Sequence, residues 1–187
     1  MKERDEKLYE LTKMKVIETL FDGDIHKWNI NNSEFGNRLK GHRNVCVVIE
    51  DRNNNVFGGY CSKEIGIDMF HFDFNSFVFS VKRNGRYKMR KYPIRKWHCD
   101  FKIFNDNHNV LFAFGAENNN NRNYIKDIIV FKKDTPHKSY CDQYSYDYQG
   151  ERNALCDNLP KSFIVERIVV YELEESEKWK NDKEINL

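Results

Sequence analysis

The chain has 187 residues, 40% hydrophobic and 14% aromatic, which suits one globular domain with a substantial core. Its formal net charge is only +2 and no apolar run approaches membrane-spanning length, which excludes a general polycation and a spanning helix. The N-terminus, MKERDEKLYEL, lacks the apolar core of a secretory signal, and the five cysteines include no CxxC; the expected location is the cytoplasm, with the nucleus as the alternative.

In chain order, residues 3–20 place Leu8, Leu11, Val16, Ile17 and Leu20 at roughly helical spacing, which predicts an amphipathic helix. Ser33 is positioned to cap a short helix through Leu39, with Gly41 just past its end. From Asn44 the rhythm changes to period two. Val45, Val47 and Ile49 alternate with Cys46, Val48 and Glu50; a polar turn at 51–55 leads into VFGGYCS. SFVFSVK at 76–82 alternates again and meets Asn84-Gly85, a two-residue hairpin turn in which both positions tolerate positive φ. Further strands are predicted at 98–104, 110–115, 124–132 and 162–173. The Asn run at 118–121 reads as a loop. Residues 133–160 carry little periodicity and are long for a loop, so they are expected to be functional or ordered by packing. With 24 Phe and Tyr residues and many short strands, the expected fold is mainly β (α+β): an antiparallel sandwich of two sheets flanked by short helices. One domain over 1–174 and a charged tail over 175–187 complete the expected organisation.

Charge is distributed unevenly. Residues 82–98, KRNGRYKMRKYPIRKWH, hold eight Lys and Arg and no acid; the rest of the chain has 23 basic residues against 29 acidic. One positive segment on a mildly acidic protein points to a directed contact with an anionic partner. On the predicted return strand Arg86, Lys88 and Arg90 share one face, and Tyr87, Met89 and Lys91 the other. The candidate binding residues are therefore Arg83, Arg86, Lys88, Arg90, Lys91, Arg95 and Lys96, supported by Tyr87, Tyr92 and Trp97. Two partner classes fit: an acidic protein surface, or nucleic acid, because β-ribbons enter DNA grooves and aromatics stack on unpaired bases. The competing explanation is an edge strand kept charged against aggregation, which Lys and Pro93 would serve.

Several segments together resemble the TLDc domain family. They are VFGGYCS at 56–62, SFVFSVK at 76–82, LFAFG at 111–115, KDIIVF at 126–131 and the closing FIVERIVVYELE at 163–174. LYELTKMKVIETLFDGDIHKWNINNSEFGNRLKGHRN resembles the family's opening helices, so the likeness covers roughly residues 7–174. The resemblance is to a divergent member: Lys63-Glu64-Ile65-Gly66 stands where a tryptophan usually follows FGGY-S, and SYCDQYSYDYQGERNALCDNLPKS replaces Gly- and Ser-rich loops. The resemblance implies a β-sandwich flanked by helices, a link to oxidative-stress protection and, for some members, binding to the vacuolar proton pump. It carries over no catalytic residue.

Other chemistry is sparse in the sequence. Trp97-His98-Cys99-Asp100 is the densest His/Cys cluster, but strand neighbours point to opposite faces and the spacings lack zinc-site form, so no metal or other cofactor is expected. Cys46 and Cys61 lie in apolar strands, whereas Cys141 and Cys156 lie in loop-like sequence and are the redox-sensitive candidates. Asp22 with Asp24, and Glu174 with Glu175, read as turn and tail solvation. Gly58-Gly59 lacks the Lys and helix of a phosphate loop and reads as a tight packing point between sheet and helix. No catalytic motif emerges, and the expected role is a non-enzymatic interaction domain.

Overall fold

The computed structural model of the chain describes residues 2–69, 72–95, 99–116, 126–156 and 162–175. Its first helix, α1, covers only Lys2–Thr12, and the chain then enters strand β1, Met14–Asp22. The expected helix over 3–20 is thus half strand. The Thr12 hydroxyl donates to the Leu8 carbonyl at 2.8 Å, and Lys13 turns out of the helix with φ of 59°. Val16, Ile17 and Thr19 follow, β-branched residues that pack well on a pleated sheet; Val16 and Thr19 pair with the last strand, and Ile17 sits at a register shift between them. A helical pattern of apolar residues could not reveal that partner, which lies some 150 positions away.

A small hairpin of β2 (Trp28–Asn29) and β3 (Asn32–Ser33) precedes α2 (Phe35–Leu39), which buries Phe35 and Leu39. The cap position of α2 is Glu34, without a side-chain cap bond; Ser33 Oγ instead accepts the Phe35 N–H at 3.3 Å. Then come β4 (Val45–Asp51), β5 (Val56–Cys61), β6 (Phe77–Arg83), β7 (Arg86–Pro93), β8 (Cys99–Ile103) and β9 (Val110–Ala116). The remaining strands are β10 (Ile128–Phe131), β11 (Ser139–Cys141), β12 (Ser162–Phe163) and β13 (Val165–Glu175). The predicted strand over 162–173 is two strands, broken at Ile164 between the sheets. The Asn run at 118–121 and the tail beyond Glu175 lie outside the described residues.

Six strands form one antiparallel sheet in the order β1-β13-β4-β5-β6-β7, and five form a second in the order β12-β11-β10-β9-β8. The fold is mainly β, as expected. The sheets face each other across a core of Val45, Val47, Ile49, Phe57 and Val78 from the first and Phe101, Phe112, Phe114, Ile128 and Val130 from the second. The outer face of the six-stranded sheet carries Cys46, Val48, Phe79, Val169 and Tyr171, which pack with Leu8 of α1. Central strand β4 is therefore apolar on both faces, which is why it reads VCVVI rather than alternating with polar residues.

Residues 133–156 are ordered by packing rather than left as a loop. Asp127, buried at the start of β10, accepts the Tyr144 N–H at 2.8 Å, the Ser145 N–H at 2.9 Å and the Tyr148 hydroxyl at 2.9 Å. Burial raises its carboxyl, and these donors only partly offset the rise. Tyr146, Tyr148, Ala154 and Leu155 then fill the main core. Aromatic spacing with no fixed period gives no warning of this, because each side chain is placed by its own contact. Asp22 and Asp24 are not simply solvated either. Arg167 of β13 reaches Asp22 at 2.6 Å and Asp24 at 2.9 Å, locking edge strand β1 to its neighbour.

Candidate functional site

The basic stretch forms the tip and return strand of the β6–β7 hairpin. Asn84 and Gly85 take φ of 48° and 75°, the paired left-handed turn that their sequence predicts. Asn54 and Asn55 anchor the tip: the Asn84 N–H donates to Asn55 Oδ1 at 2.8 Å and the Gly85 N–H to the Asn54 carbonyl at 3.0 Å. Strand β7 stands at one end of the six-stranded sheet, so its cations line a sheet edge.

The candidate binding residues divide into three groups. Arg83 and Tyr92 are structural. Arg83 is 5% exposed and donates to the Tyr92 hydroxyl at 3.0 Å and to Glu151 at 2.8 Å, while Tyr92 sits in the inter-sheet core with its ring against Tyr148. Neither can meet a partner, which corrects the sequence reading. Tyr92 is the one buried residue of β7, and Arg83, at the end of β6 just past a register shift between Ser80 and Lys82, is drawn onto its hydroxyl.

A second group is partly engaged. Lys88 is 49% exposed at its side chain and pairs with Glu151 at 2.7 Å. Lys91 lies over the Phe77 ring at 3.9 Å, where burial lowers its pKa. Tyr87 is exposed but flanked by Lys82 at 4.5 Å and Lys7 of α1 at 5.8 Å from its ring centroid. The third group, Arg86, Arg90 and Arg95, is exposed and makes no ion pair among the described residues. Lys96 and Trp97 lie outside the described residues. The cationic rim that the structure offers is therefore these three arginines, with Lys88 and Lys91 beside them.

Glu151 is the residue that sequence reasoning missed. It gathers Arg83, Lys88 and the Tyr92 hydroxyl, the last donating at 2.6 Å. Burial alone would raise its carboxyl, but the donors from Lys88, Tyr92 and Arg83 prevail and hold it down at about 2. Nothing local in QYSYDYQGE at 143–151 marks it, because Arg83 and Tyr92 lie 68 and 59 positions earlier.

Beside this edge, a groove of about 590 Å³ opens on the outer face of the sheet next to α1. Ile17, Val48, Val81, Tyr87 and Val169 line it. It was invisible to a reading that placed Ile17 on a helix.

The cysteine candidates are buried. Cys141 lies in β11, 6% exposed, and Cys156 is 2% exposed; both line one small hollow. Burial first, and then the neighbouring Cys156, push the Cys141 thiol well above its ordinary range. The redox-sensitive reading thus meets two covered thiols. In the native state both are expected to react with a thiol-alkylating probe no faster than fully buried Cys46. Mass-spectrometric labelling rates check this, and faster labelling at Cys141 would restore the redox reading.

Gly58 and Gly59 lie where the FGGY segment crosses the middle of the first sheet, opposite Val48 and Val47 of β4. Gly59 faces the Phe114 ring of the second sheet, so the tight point is between two sheets, not between sheet and helix. The FG of β9 and the Asp127 that opens β10 lie on neighbouring strands of that second sheet. The segments that suggested a family are thus brought together in one core. No curated protein matches the chain. The family model described as the TLDc domain matches residues 6–174, from within α1 to the penultimate residue of β13. The chain belongs to the TLDc domain family, a family linked to oxidative stress.

Proposed function

We propose that this TLDc domain is a non-enzymatic interaction module in oxidative-stress protection that docks an acidic protein surface on the β7 edge. The vacuolar proton pump is the partner that the family resemblance suggests. The observation that supports this reading is the exposed set of Arg86 and Arg90 on edge strand β7 and Arg95 just beyond it, in a segment without a single acidic residue. Three rim charges favour encounter and orientation more than raw affinity. Nucleic acid fits less well, since Tyr92 is buried and Tyr87 is flanked by lysines, which removes two of the aromatic platforms that base stacking would use.

The test is binding of the purified chain to purified proton pump, compared with the triple variant Arg86→Glu, Arg90→Glu, Arg95→Glu. The variant is expected to fold, by circular dichroism, and to bind at least about tenfold more weakly at low salt. Normal binding by the variant would reduce the set to a guarded sheet edge. Labelled DNA supplies the contrast: micromolar binding with a steep salt slope would move the assignment to nucleic acid.

A further inference from the structure

Cys61 ends β5, Asp73 lies in the loop entering β6, and Asp100 is the second residue of β8. Each is only 1% exposed. The Cys61 sulfur and one carboxylate oxygen from each aspartate lie within 4.8 Å of one another. This cluster spans the two sheets, because β5 belongs to the first and β8 to the edge of the second.

The two aspartates are treated differently by their surroundings. Asp73 is held firmly: Ser62 donates to it through its N–H at 2.5 Å and its hydroxyl at 2.8 Å, and the Asn75 N–H donates at 3.0 Å. Asp100 is held only through its main chain, whose carbonyl accepts the Tyr146 hydroxyl at 3.1 Å. Both of its carboxylate oxygens lack a hydrogen-bond partner among the described residues. Burial pushes this carboxyl up to about 7. No cationic side chain pairs with any of the three among the described residues. A buried polar group without a partner is rare in folded chains and calls for something that supplies one.

We propose that Cys61, Asp73 and Asp100 form a divalent-metal site selective for Zn²⁺, with the sulfur and one oxygen from each aspartate as ligands and water as the fourth. Binding would release the proton of the covered Cys61 thiol, and the resulting thiolate beside carboxylates suits zinc, whereas Mg²⁺ and Ca²⁺ take oxygen ligands. In tetrahedral zinc the ligand atoms stand about 3.5 Å apart, so small side-chain rotations close the site from its present spacing. Ser62 and Asn75 orient Asp73 as outer hydrogen bonds orient metal ligands elsewhere. The ion would join β5 to β8 and pin one end of the sandwich.

The test uses the full chain, stripped with chelator and titrated with Co²⁺. The expected result is about one ion per chain, as a single three-residue site allows. A near-ultraviolet thiolate-to-cobalt band should appear with the intensity of one thiolate and disappear on adding Zn²⁺. Zn²⁺ should also raise the thermal midpoint of the wild type but not of Cys61→Ser. Ser62→Ala should weaken Co²⁺ binding by about 10–100-fold, while Cys141→Ser leaves the band intact. Absence of the band in folded wild type overturns the proposal, as does a band that survives Cys61→Ser. A band of two-thiolate intensity overturns it too, by placing the ion at Cys141 and Cys156. If Cys61→Ser fails to fold, Ser62→Ala carries the assignment, and unchanged Co²⁺ affinity in that variant overturns the proposal.

Discussion

Gly58→Ala is expected to destabilise the chain by about 3 kcal/mol or more, at the upper end of overpacking costs. In an ordinary strand the same change gains roughly 0.5–1 kcal/mol, because alanine has less backbone freedom to lose than glycine. Here that gain is overwhelmed. A Cβ on Gly58 would collide with the Val47 carbonyl oxygen, and would stand 2.9 Å from the Val47 carbonyl carbon and 3.1 Å from Phe79 Cζ. The obstacle is backbone rather than the far end of a side chain, so no rotamer change relieves it. Nor can β4 withdraw, since β13 pairs along its other edge from Val45 to Asp51. Gly59→Ala meets the Phe114 ring at 2.6–2.7 Å. That ring is packed against Phe101 at 4.5 Å between centroids, but a ring can tilt, and the expected cost is about 1–3 kcal/mol. Urea midpoints at constant slope measure both variants. A Gly58→Ala chain within about 0.5 kcal/mol of wild type would show that the glycine pair is not a packing requirement.

Glu151→Ala is expected to cost about 3–5 kcal/mol, because it leaves the Arg83 guanidinium buried without its counter-ion. Arg83 is 5% exposed and its other partners, Tyr92 and Ser80, are neutral. Glu151→Gln should cost less, since an amide oxygen can still accept from Arg83 and Tyr92. The pH dependence has a definite sign. The Glu151 carboxyl stands near 4.5 in the unfolded chain and is held at about 2 in the folded one. A depressed carboxyl stabilises above its unfolded value and loses that contribution as pH falls, here between about pH 5 and pH 2. Solvent screening of this partly exposed carboxyl brings the contribution at neutral pH to about 1–2 kcal/mol. Acid titrations of wild type and Glu151→Gln check it: the wild type should lose stability more steeply below pH 5. Parallel acid profiles would show that Glu151 carries no charge-dependent stabilisation.

The legible and illegible parts of this protein differ in range. The Asn84-Gly85 turn, the alternation at 76–82 and the apolar run at 45–49 are local patterns, and each became the element it predicts. The basic stretch was equally plain as composition. Its division into buried Arg83, engaged Lys88 and exposed Arg86, Arg90 and Arg95 was not, since it depends on Glu151 from a segment without periodicity. The helix predicted over 3–20 failed at Lys13 for the same reason: Val16 and Ile17 fit either helix or strand, and pairing with β13 selected strand.

The sequence by itself determined the strand-rich fold, the hairpin turns, the family and the presence of one strongly basic segment. These follow from side-chain period, turn stereochemistry and short apolar motifs, all of which act over a few residues. Tertiary structure alone decided which cations face solvent, that Cys141 and Cys156 are covered, and that Cys61, Asp73 and Asp100 meet at the junction of two sheets. Each of those outcomes is fixed by which strands become neighbours and what covers each sheet face. That information lies in contacts between distant segments, where burial, pairing and desolvation override local pattern.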